Sequence, residues 1–346
     1  MMRHFATLVV FLALGFAPAY SQTPYYQGKT ITVILGGPPG GSADMRTKAV
    51  TAVLPKHVPG NPTILMQYMQ AGGGRQAANH IYNSARPDGL TLGSMGAALV
   101  ANAVLGETGV QYDIDKLIYL GTPDSGAHYI FLTHREAGLS NLEKLRSASG
   151  IRIGAQSVGH PVYITGRLFA YILDLKDPKF VTGYSGPELD LALVRREIDA
   201  RVNIGETLLT RASEWLEKGL VDLHAGIEIP KGEKHPRFQH LPDLETFAKS
   251  DLERKVLGMF RAFRLVGQAF FLPPGTPRET VQILRDAMRK TLNDPEFHKG
   301  YKKLTGDDPS PLTPEALEKA IKEIPRDREA VELFNKLAGG GALPPR

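Results

Sequence analysis

Short apolar runs alternate with longer amphipathic segments along the first half of the chain. Runs rich in β-branched and apolar residues predict strands at 30–35, 63–69 and 90–92, and helical spacing of apolar residues predicts helices at 43–54 and 75–84. This β-α-β-α-β order favours a parallel sheet with helices on its faces. Sheets of this kind bind ligands beyond the carboxyl ends of their strands.

The same alternation returns in the second half. Strands are predicted at 117–120 and 129–133, and the second of them carries the chain into a new lobe. There the pattern repeats, with predicted strands and helices at 151–155, 162–173, 180–182, 188–196 and 198–204. An apolar, strand-like run at 263–272 returns the chain to the first lobe, and a helix begins near 276.

The chain is therefore predicted to be an α/β protein of two lobes joined by crossing strands. Residues 22–126 and 264–346 are assigned to lobe I, and residues 127–263 to lobe II. A length of 346 residues with 42% hydrophobic residues is ample for two cores. Two hinged lobes form a clamp that can enclose a small ligand.

The N-terminus is typical of an export signal. Arg3 and His4 precede an apolar run at 8–17, which is half the length that a transmembrane helix needs. Ala19 and Ser21 supply the small residues that a signal peptidase requires. Residues 1–21 are expected to be removed, which leaves a periplasmic protein that begins near Gln22. An uncleaved membrane anchor is the alternative.

Composition narrows the possible chemistry. The chain has no cysteine, which excludes disulfides, cysteine zinc sites and thiol catalysis. The net charge of +5 favours anionic ligands, and no stripe of basic and aromatic residues indicates nucleic acid. The Gly- and Pro-rich ending at 339–346 is expected to be frayed.

The Gly-rich segment 35–44 lies between a predicted strand and a predicted helix. Gly40 and Gly41 let the backbone approach a ligand, and a left-handed backbone is expected at Gly41. The N–H groups that begin the helix favour an anion, and Ser42 or Asp44 can cap it. An ordinary turn closed by a cap is the alternative. No Lys follows Gly41, so the segment is not a phosphate-binding P-loop.

Two further loops open helices. The Gly cluster at 71–77 matches the dinucleotide pattern only loosely, and no acidic residue ends the next strand, so no nicotinamide cofactor is expected. The loop at 156–161 is the second lobe's counterpart to Gly40–Ser42. Two helix starts that face each other across a cleft could hold two carboxylates of one ligand. His160 in this loop is either part of that site or a surface residue.

Signals for catalysis are weak. Neither 183–187 nor 93–96 supplies the Gly-x-Ser-x-Gly pattern of a nucleophile elbow. The ten histidines are dispersed, and no pair has helical metal-ligand spacing with a Glu between. The sequence therefore predicts a binding protein with no catalytic residues, no metal and no cofactor.

Taken together, the loops resemble the extracytoplasmic solute receptors of tripartite tricarboxylate transporters, the Bug family. The matching segments are Pro-Pro-Gly-Gly-x-x-Asp at 38–44, the Gly-rich turn at 71–74, Arg-Pro-Asp-Gly-x-Thr-Leu at 86–92, a strand, Gly-x-Pro loop and helix at 153–169, Tyr-Ser-Gly at 184–186, Leu-Pro-Asp at 241–243, Pro-Pro-Gly-Thr-Pro at 273–277 and Asn-Asp-Pro-Glu at 293–296. Their shared order covers nearly all of the expected mature chain.

This resemblance implies a two-lobed, type II-like periplasmic-binding-protein fold and a small carboxylate ligand held largely by backbone amides. It implies that the receptor is a monomer that hands its ligand to the membrane components of a transporter. The implied ligand-binding residues are Pro39, Gly40, Gly41, Ser42, Asp44, Ser94, Gly159, His160, Pro161 and Asn203.

The chain also departs from the family pattern. Gly37 replaces a common aromatic residue, His160 replaces a usual Thr, Asn203 replaces an acidic residue, and the stretch 225–240 is hard to match. Two alternatives remain: a receptor that docks on a signalling partner, and a periplasmic hydrolase or lyase on the same scaffold. The identity of the acid is left open, because backbone amides bind any carboxylate.

Overall fold

A computed structural model describes residues 23–346 of the chain. The predicted signal segment at 1–21 and the expected mature start at Gln22 lie outside the described residues. Within 23–346, no helix combines the length and the apolar character that crossing a membrane requires.

Between residues 23 and 346 the chain forms ten strands and fourteen α-helices. The strands are β1 (Thr30–Leu35), β2 (Thr63–Tyr68), β3 (Thr91–Met95), β4 (Ile118–Gly121), β5 (Ala127–His134), β6 (Arg152–Gly154), β7 (Lys179–Val181), β8 (Ala200–Ile204), β9 (Val221–Ile229) and β10 (Ala269–Leu272). The helices are α1 (Ser42–Thr51), α2 (Leu54–His57), α3 (Arg75–Asn83), α4 (Ala98–Val104), α5 (Leu142–Ser147), α6 (Pro161–Ile172), α7 (Gly186–Val194), α8 (Gly205–Arg211), α9 (Ser213–Glu217), α10 (Asp251–Leu265), α11 (Arg278–Leu292), α12 (Pro295–Thr305), α13 (Pro314–Lys322) and α14 (Arg328–Ala338).

The strands form two five-stranded sheets with equivalent topology. Their orders are β2-β1-β3-β10-β4 and β7-β6-β8-β5-β9. In each sheet the first three strands are parallel, and the fourth is antiparallel to both of its neighbours. The antiparallel strand is the one that arrives from the other sheet: β5 directly follows β4, and β10 follows β9 and α10. The predicted α/β architecture of two mainly parallel sheets joined by crossing strands is confirmed.

Burial explains why these segments form strands and helices. In β1, Ile31, Val33 and Leu35 are fully buried, as expected for a strand inside a parallel sheet. α11 is amphipathic, with Leu284 and Met288 one turn apart on its buried face, and it contacts β4. Burying each such large apolar side chain contributes about 1.5–3 kcal/mol.

The segment 251–272 differs from the sequence prediction. Residues 263–265 end helix α10, and only Ala269–Leu272 form a strand. The helix begins with a capping box, in which Ser250 and Glu253 each bond to the backbone of the other, and this pattern was present in the sequence. Strand β9, which pairs with β5, was not predicted and covers the first part of the stretch that resisted matching. The residues at which one lobe ends and the other begins remain a prediction.

The expectation that residues 339–346 are frayed is wrong. The buried guanidinium of Arg167 donates to the carbonyl oxygens of Leu337 at 2.8 Å and Ala342 at 3.3 Å. Arg346 pairs with the carboxylate of Glu253 at 2.6 Å. Composition alone suggested disorder because Gly and Pro supply little side chain to pack. Instead, Arg167 satisfies a backbone carbonyl of this tail from a distant part of the chain, and Arg346 anchors the last residue by an ion pair.

The two crossing segments, 122–126 and 266–268, touch each other. Gly267 has a φ of +54°, and a Cβ built on it would lie 1.4 Å from the carbonyl oxygen of Asp124. Beside it, the N–H of Gln268 donates to Asp124 Oδ1 at 3.0 Å. Only glycine allows this backbone approach, so the contact fixes how the two connections pass each other.

Replacing Gly267 by Ala is therefore expected to destabilise the protein strongly. The left-handed φ alone costs an alanine about 1–2 kcal/mol, and the overlap with Asp124 adds to that. Gly300→Ala is the matched control, since Gly300 lies inside α12 with open space around it and should gain about 0.5–1 kcal/mol. Urea unfolding of both variants measures the difference, and equal stabilities would show that the crossing segments do not constrain each other.

Candidate functional site

A cavity of about 670 Å³ lies between elements of the two sheets. From the first sheet it is lined by Gly36, which follows β1, and by Met95 and Gly96 at the end of β3. From the second it is lined by Gly159 and Pro161, where the loop after β6 enters α6. The cavity therefore lies at the carboxyl ends of parallel strands, as the predicted topology requires.

Helix α1 opens towards this cavity without a side-chain cap. Its N-cap residue, Gly41, has an extended backbone, and within residues 23–346 no side chain caps the N–H groups of the first turn. Ser42 and Ala43 line the cavity wall. The N–H groups that begin a helix carry about half a positive charge and are left without partners inside the helix. This end of α1 is suited to an anion.

The left-handed residue in this loop is Gly40, not Gly41 as expected. Gly40 has a φ of +78°, whereas Gly41 has a φ of −79°. The N–H of Gly40 donates to Asp44 Oδ2 at 2.7 Å. The turn thus folds back on the first turn of α1 and leaves Gly41 as an ordinary extended N-cap.

Asp44 holds the loop rather than facing the cavity. Its carboxylate is buried and accepts hydrogen bonds from Gly40, from Lys48 Nζ at 2.7 Å and from the Tyr68 hydroxyl at 3.0 Å. Burial raises the pKa of Asp44, but the hydrogen bonds from Lys48, Gly40 and Tyr68 outweigh it and leave the pKa below its ordinary value. The residue is a positioning group for the helix start.

Ser94 and Asn203 are buried, and Ser94 lies behind the cavity wall. The Ser94 hydroxyl bonds to Thr47 Oγ1 at 2.9 Å and accepts from Gln268 Nε2 at 3.0 Å, which fixes a side chain that does line the cavity. Asn203 accepts the Ile204 N–H at 3.0 Å, and its buried Nδ2 has no hydrogen-bond partner within residues 23–346. Asn203 itself does not line the cavity.

In the second lobe, His160 caps helix α6. Its Nδ1 accepts the Val162 N–H at 3.2 Å, so the ring orients the helix start. Burial, together with the positive charge of Arg264, lowers the pKa of His160 below its ordinary value. The His160 imidazole is therefore neutral at pH 7. Any attraction for an anion at this place comes from the backbone N–H groups of the loop and from nearby Arg264.

The structure brings together only part of the predicted site. Ser42, Gly159 and Pro161 line one cavity, although Ser42 is more than a hundred residues from the other two in the chain. Pro39 and Gly40 lie on the exposed outer side of the loop. Gly41, Asp44, Ser94 and His160 lie beside or behind the wall, and Asn203 is not brought to this cavity.

Sequence analysis missed four charged residues that line the cavity: Arg46, Glu107, Asp124 and Arg264. Arg46 Nε lies 3.4 Å from Asp124 Oδ2, close enough for an ion pair but without hydrogen-bond geometry. Arg46 stands four residues after Ser42, a spacing that places both on one face of α1 and could have been noticed. Asp124 and Arg264 carried no such signal, because only the fold brings them to the cavity.

The rest of the wall is largely apolar. Phe260, Phe263, Ile164, Leu105 and Phe334 contribute to it. Within the described part of the chain, no group of three or more His, Asp or Glu side chains is arranged to hold a metal ion. The cavity is therefore suited to a small organic anion with an apolar body.

Asp44→Asn is expected to lower the free energy of unfolding by about 1–3 kcal/mol near pH 7, because it weakens charge-assisted hydrogen bonds to a buried group. The folded-state pKa of Asp44 lies below the unfolded value, so its contribution is present above the unfolded pKa of 3.8 and lost as pH falls through the folded value. Urea unfolding near pH 7 and near pH 3 should show the difference from wild type shrink at acid pH.

Asp308→Asn is the matched control for Asp44→Asn. The side chain of Asp308 is 75% exposed and pairs only with Lys302, so its loss should change the free energy of unfolding by less than about 0.5 kcal/mol. An equally small effect at Asp44, or a deficit that does not change with pH, would contradict the positioning role of Asp44.

No protein-family model matches the sequence, and no curated protein matches it. Solved structures match the fold. A TctC solute binding protein from Polaromonas, solved without ligand, has a TM-score of 0.65 at 16% identity and covers 90% of this chain and 98% of its own. MatC from Rhodopseudomonas palustris, solved with bound malate, has a TM-score of 0.54 at 20% identity, covering 90% and 99%.

A further R. palustris protein, solved with adipate, has a TM-score of 0.55 at 15% identity and covers 90% of this chain and 97% of its own. These neighbours span nearly the whole described chain. They are of the kind that the sequence motifs resemble, and identities of this size establish a common fold. The predicted two-lobed periplasmic-binding-protein fold is confirmed.

Proposed function

We propose that this chain is a periplasmic solute-binding receptor of the tripartite tricarboxylate type. It captures a small organic acid between its lobes and presents it, unchanged, to the membrane components of a transporter. The observation that carries the proposal is the cavity into which the open start of α1 and the loop before α6 both project. One ligand in this cavity contacts both lobes at once.

The charge of the cavity supports an acid as the ligand. The uncapped start of α1 offers backbone N–H donors, and two guanidinium groups line the same wall. The two neighbours solved with malate and with adipate hold dicarboxylic acids. The apolar side chains opposite α1 then contact the carbon skeleton of the acid.

Contact with both lobes couples binding to closure. A ligand that bonds to α1 on one side and to the α6 loop on the other has its full set of contacts only when the lobes are together. It shifts the population towards the closed form by its difference in affinity for the two forms. In this proposal the closed, loaded form of a monomer is what the membrane partner recognises.

A thermal-shift screen of mono-, di- and tricarboxylic acids, including aromatic ones, tests the proposal. A bound acid at a hundredfold its dissociation constant should add about 2.7 kcal/mol to the free energy of unfolding. NMR of the recovered acid should show it chemically unchanged. The proposal fails if no acid of the panel stabilises the protein, or if the acid is converted.

Ser42→Pro tests the open start of α1 directly. Proline is tolerated at the first position of a helix, and the extended backbone of Gly41 suits a following proline, so the fold should survive. The variant lacks the Ser42 N–H and hydroxyl, and affinity should fall by about tenfold or more by calorimetry.

Arg328→Pro is the control for Ser42→Pro, because Arg328 is the exposed first residue of α14 and does not line the cavity. Its affinity for the acid should equal that of wild type. If Ser42→Pro also binds like wild type, the start of α1 takes no part in binding.

A further inference from the structure

Arg264 differs from Arg46 in its surroundings. Arg46 has the carboxylate of Asp124 at 3.4 Å. Within residues 23–346, Arg264 has no carboxylate within 4.0 Å of its nitrogens, and its Nε is buried without a hydrogen-bond partner. Arg264 is half-buried, and a buried N–H donor of a cation without a partner is unfavourable, so an anion bound beside it would be stabilised.

The position of Arg264 is fixed by its neighbours. It stands in the last turn of α10, and its guanidinium carbon lies 5.9 Å from the centroid of the Tyr129 ring, within the range of a cation–π contact. The side chain lines the cavity beside Phe260 and Phe263. These contacts hold the guanidinium at the cavity wall rather than in bulk solvent.

The charge of Arg264 also reaches the second lobe. It is the charge that adds to burial in lowering the pKa of His160, the cap of α6. Three other charged side chains face the same cavity: Arg46, Asp124 and Glu107. Arg46 is compensated by Asp124, and Glu107 is exposed at the rim, where solvent screens it. Arg264 is thus the inner-wall cation without a carboxylate in ion-pair contact within residues 23–346, and Asp124, which pairs with Arg46, acts on it only from a longer distance.

We propose that Arg264 binds a carboxylate of the ligand directly through its guanidinium and thereby selects acids with two anionic groups. One carboxylate occupies the start of α1 and the other pairs with Arg264. This inference rests on the proposed function, and it adds a side-chain determinant to a site otherwise formed by backbone groups. It makes the number of carboxylates on the acid, rather than its length alone, the basis of selectivity.

The test uses matched acids that differ by one carboxylate: succinate and butyrate, glutarate and pentanoate, adipate and hexanoate. Calorimetry on the full mature chain should show that wild type binds at least one diacid about tenfold or more tightly than its monoacid partner. Arg264→Gln should bring the diacid close to the monoacid, leaving the monoacid affinity unchanged. Arg264→Lys should restore part of the preference, since it restores the charge without the planar fork.

Arg195→Gln serves as the control, because Arg195 is 67% exposed in the second lobe and lies outside the cavity wall. Unchanged monoacid binding by Arg264→Gln shows that the variant is folded. The inference is overturned if wild type binds both members of every pair equally, if Arg264→Gln weakens both equally, or if none of the six acids binds. Binding of another acid in the wider screen would then leave the proposed function standing without this inference.

Discussion

The contact between the two crossing segments determines the geometry of the cavity. Gly267 lies against the backbone of Asp124, and the N–H of Gln268 bonds to the Asp124 side chain. The Gln268 side chain also donates to the Ser94 hydroxyl at the end of β3. Arg264 stands four residues before Gln268, in the last turn of α10. Gln268 and Arg264 in the cavity wall and the connection between the sheets are therefore parts of one packed unit.

This arrangement separates two kinds of polar residue. Asp44, Ser94 and His160 are satisfied by neighbouring groups and hold the loops in place. The start of α1 and the guanidinium of Arg264 lack partners within the described residues and face the cavity. A buried polar group without a partner raises the free energy of the protein without ligand. An anion that bonds to such a group removes this cost, and binding is favoured by that amount.

Much of the fold could be predicted from the sequence, because strand and helix patterns repeat in both halves and loops open helices in equivalent places. The end of α10 differs from the predicted strand, since a short, mainly apolar run such as 263–272 does not distinguish a buried strand from a buried helix. In the candidate site, the places of Ser42, Gly159 and Pro161 at the cavity could be predicted, because local backbone chemistry marks a helix start. The place of Arg264 at the cavity could not be predicted. It depends on the path of the crossing segment 266–268, and no local sequence pattern indicates that path.

An amide NMR titration of the deuterated mature protein, with the acid that stabilises it most, tests whether one bound acid contacts both lobes. We expect the resonances of Ser42 and Ala43 in one lobe and Gly159 in the other to shift together, with one dissociation constant and one equivalent of acid. A second cavity is lined by Lys302, Gly306 and Ser310. Shifts confined to one lobe, or centred on this second cavity, would contradict a position of the acid between the two helix starts.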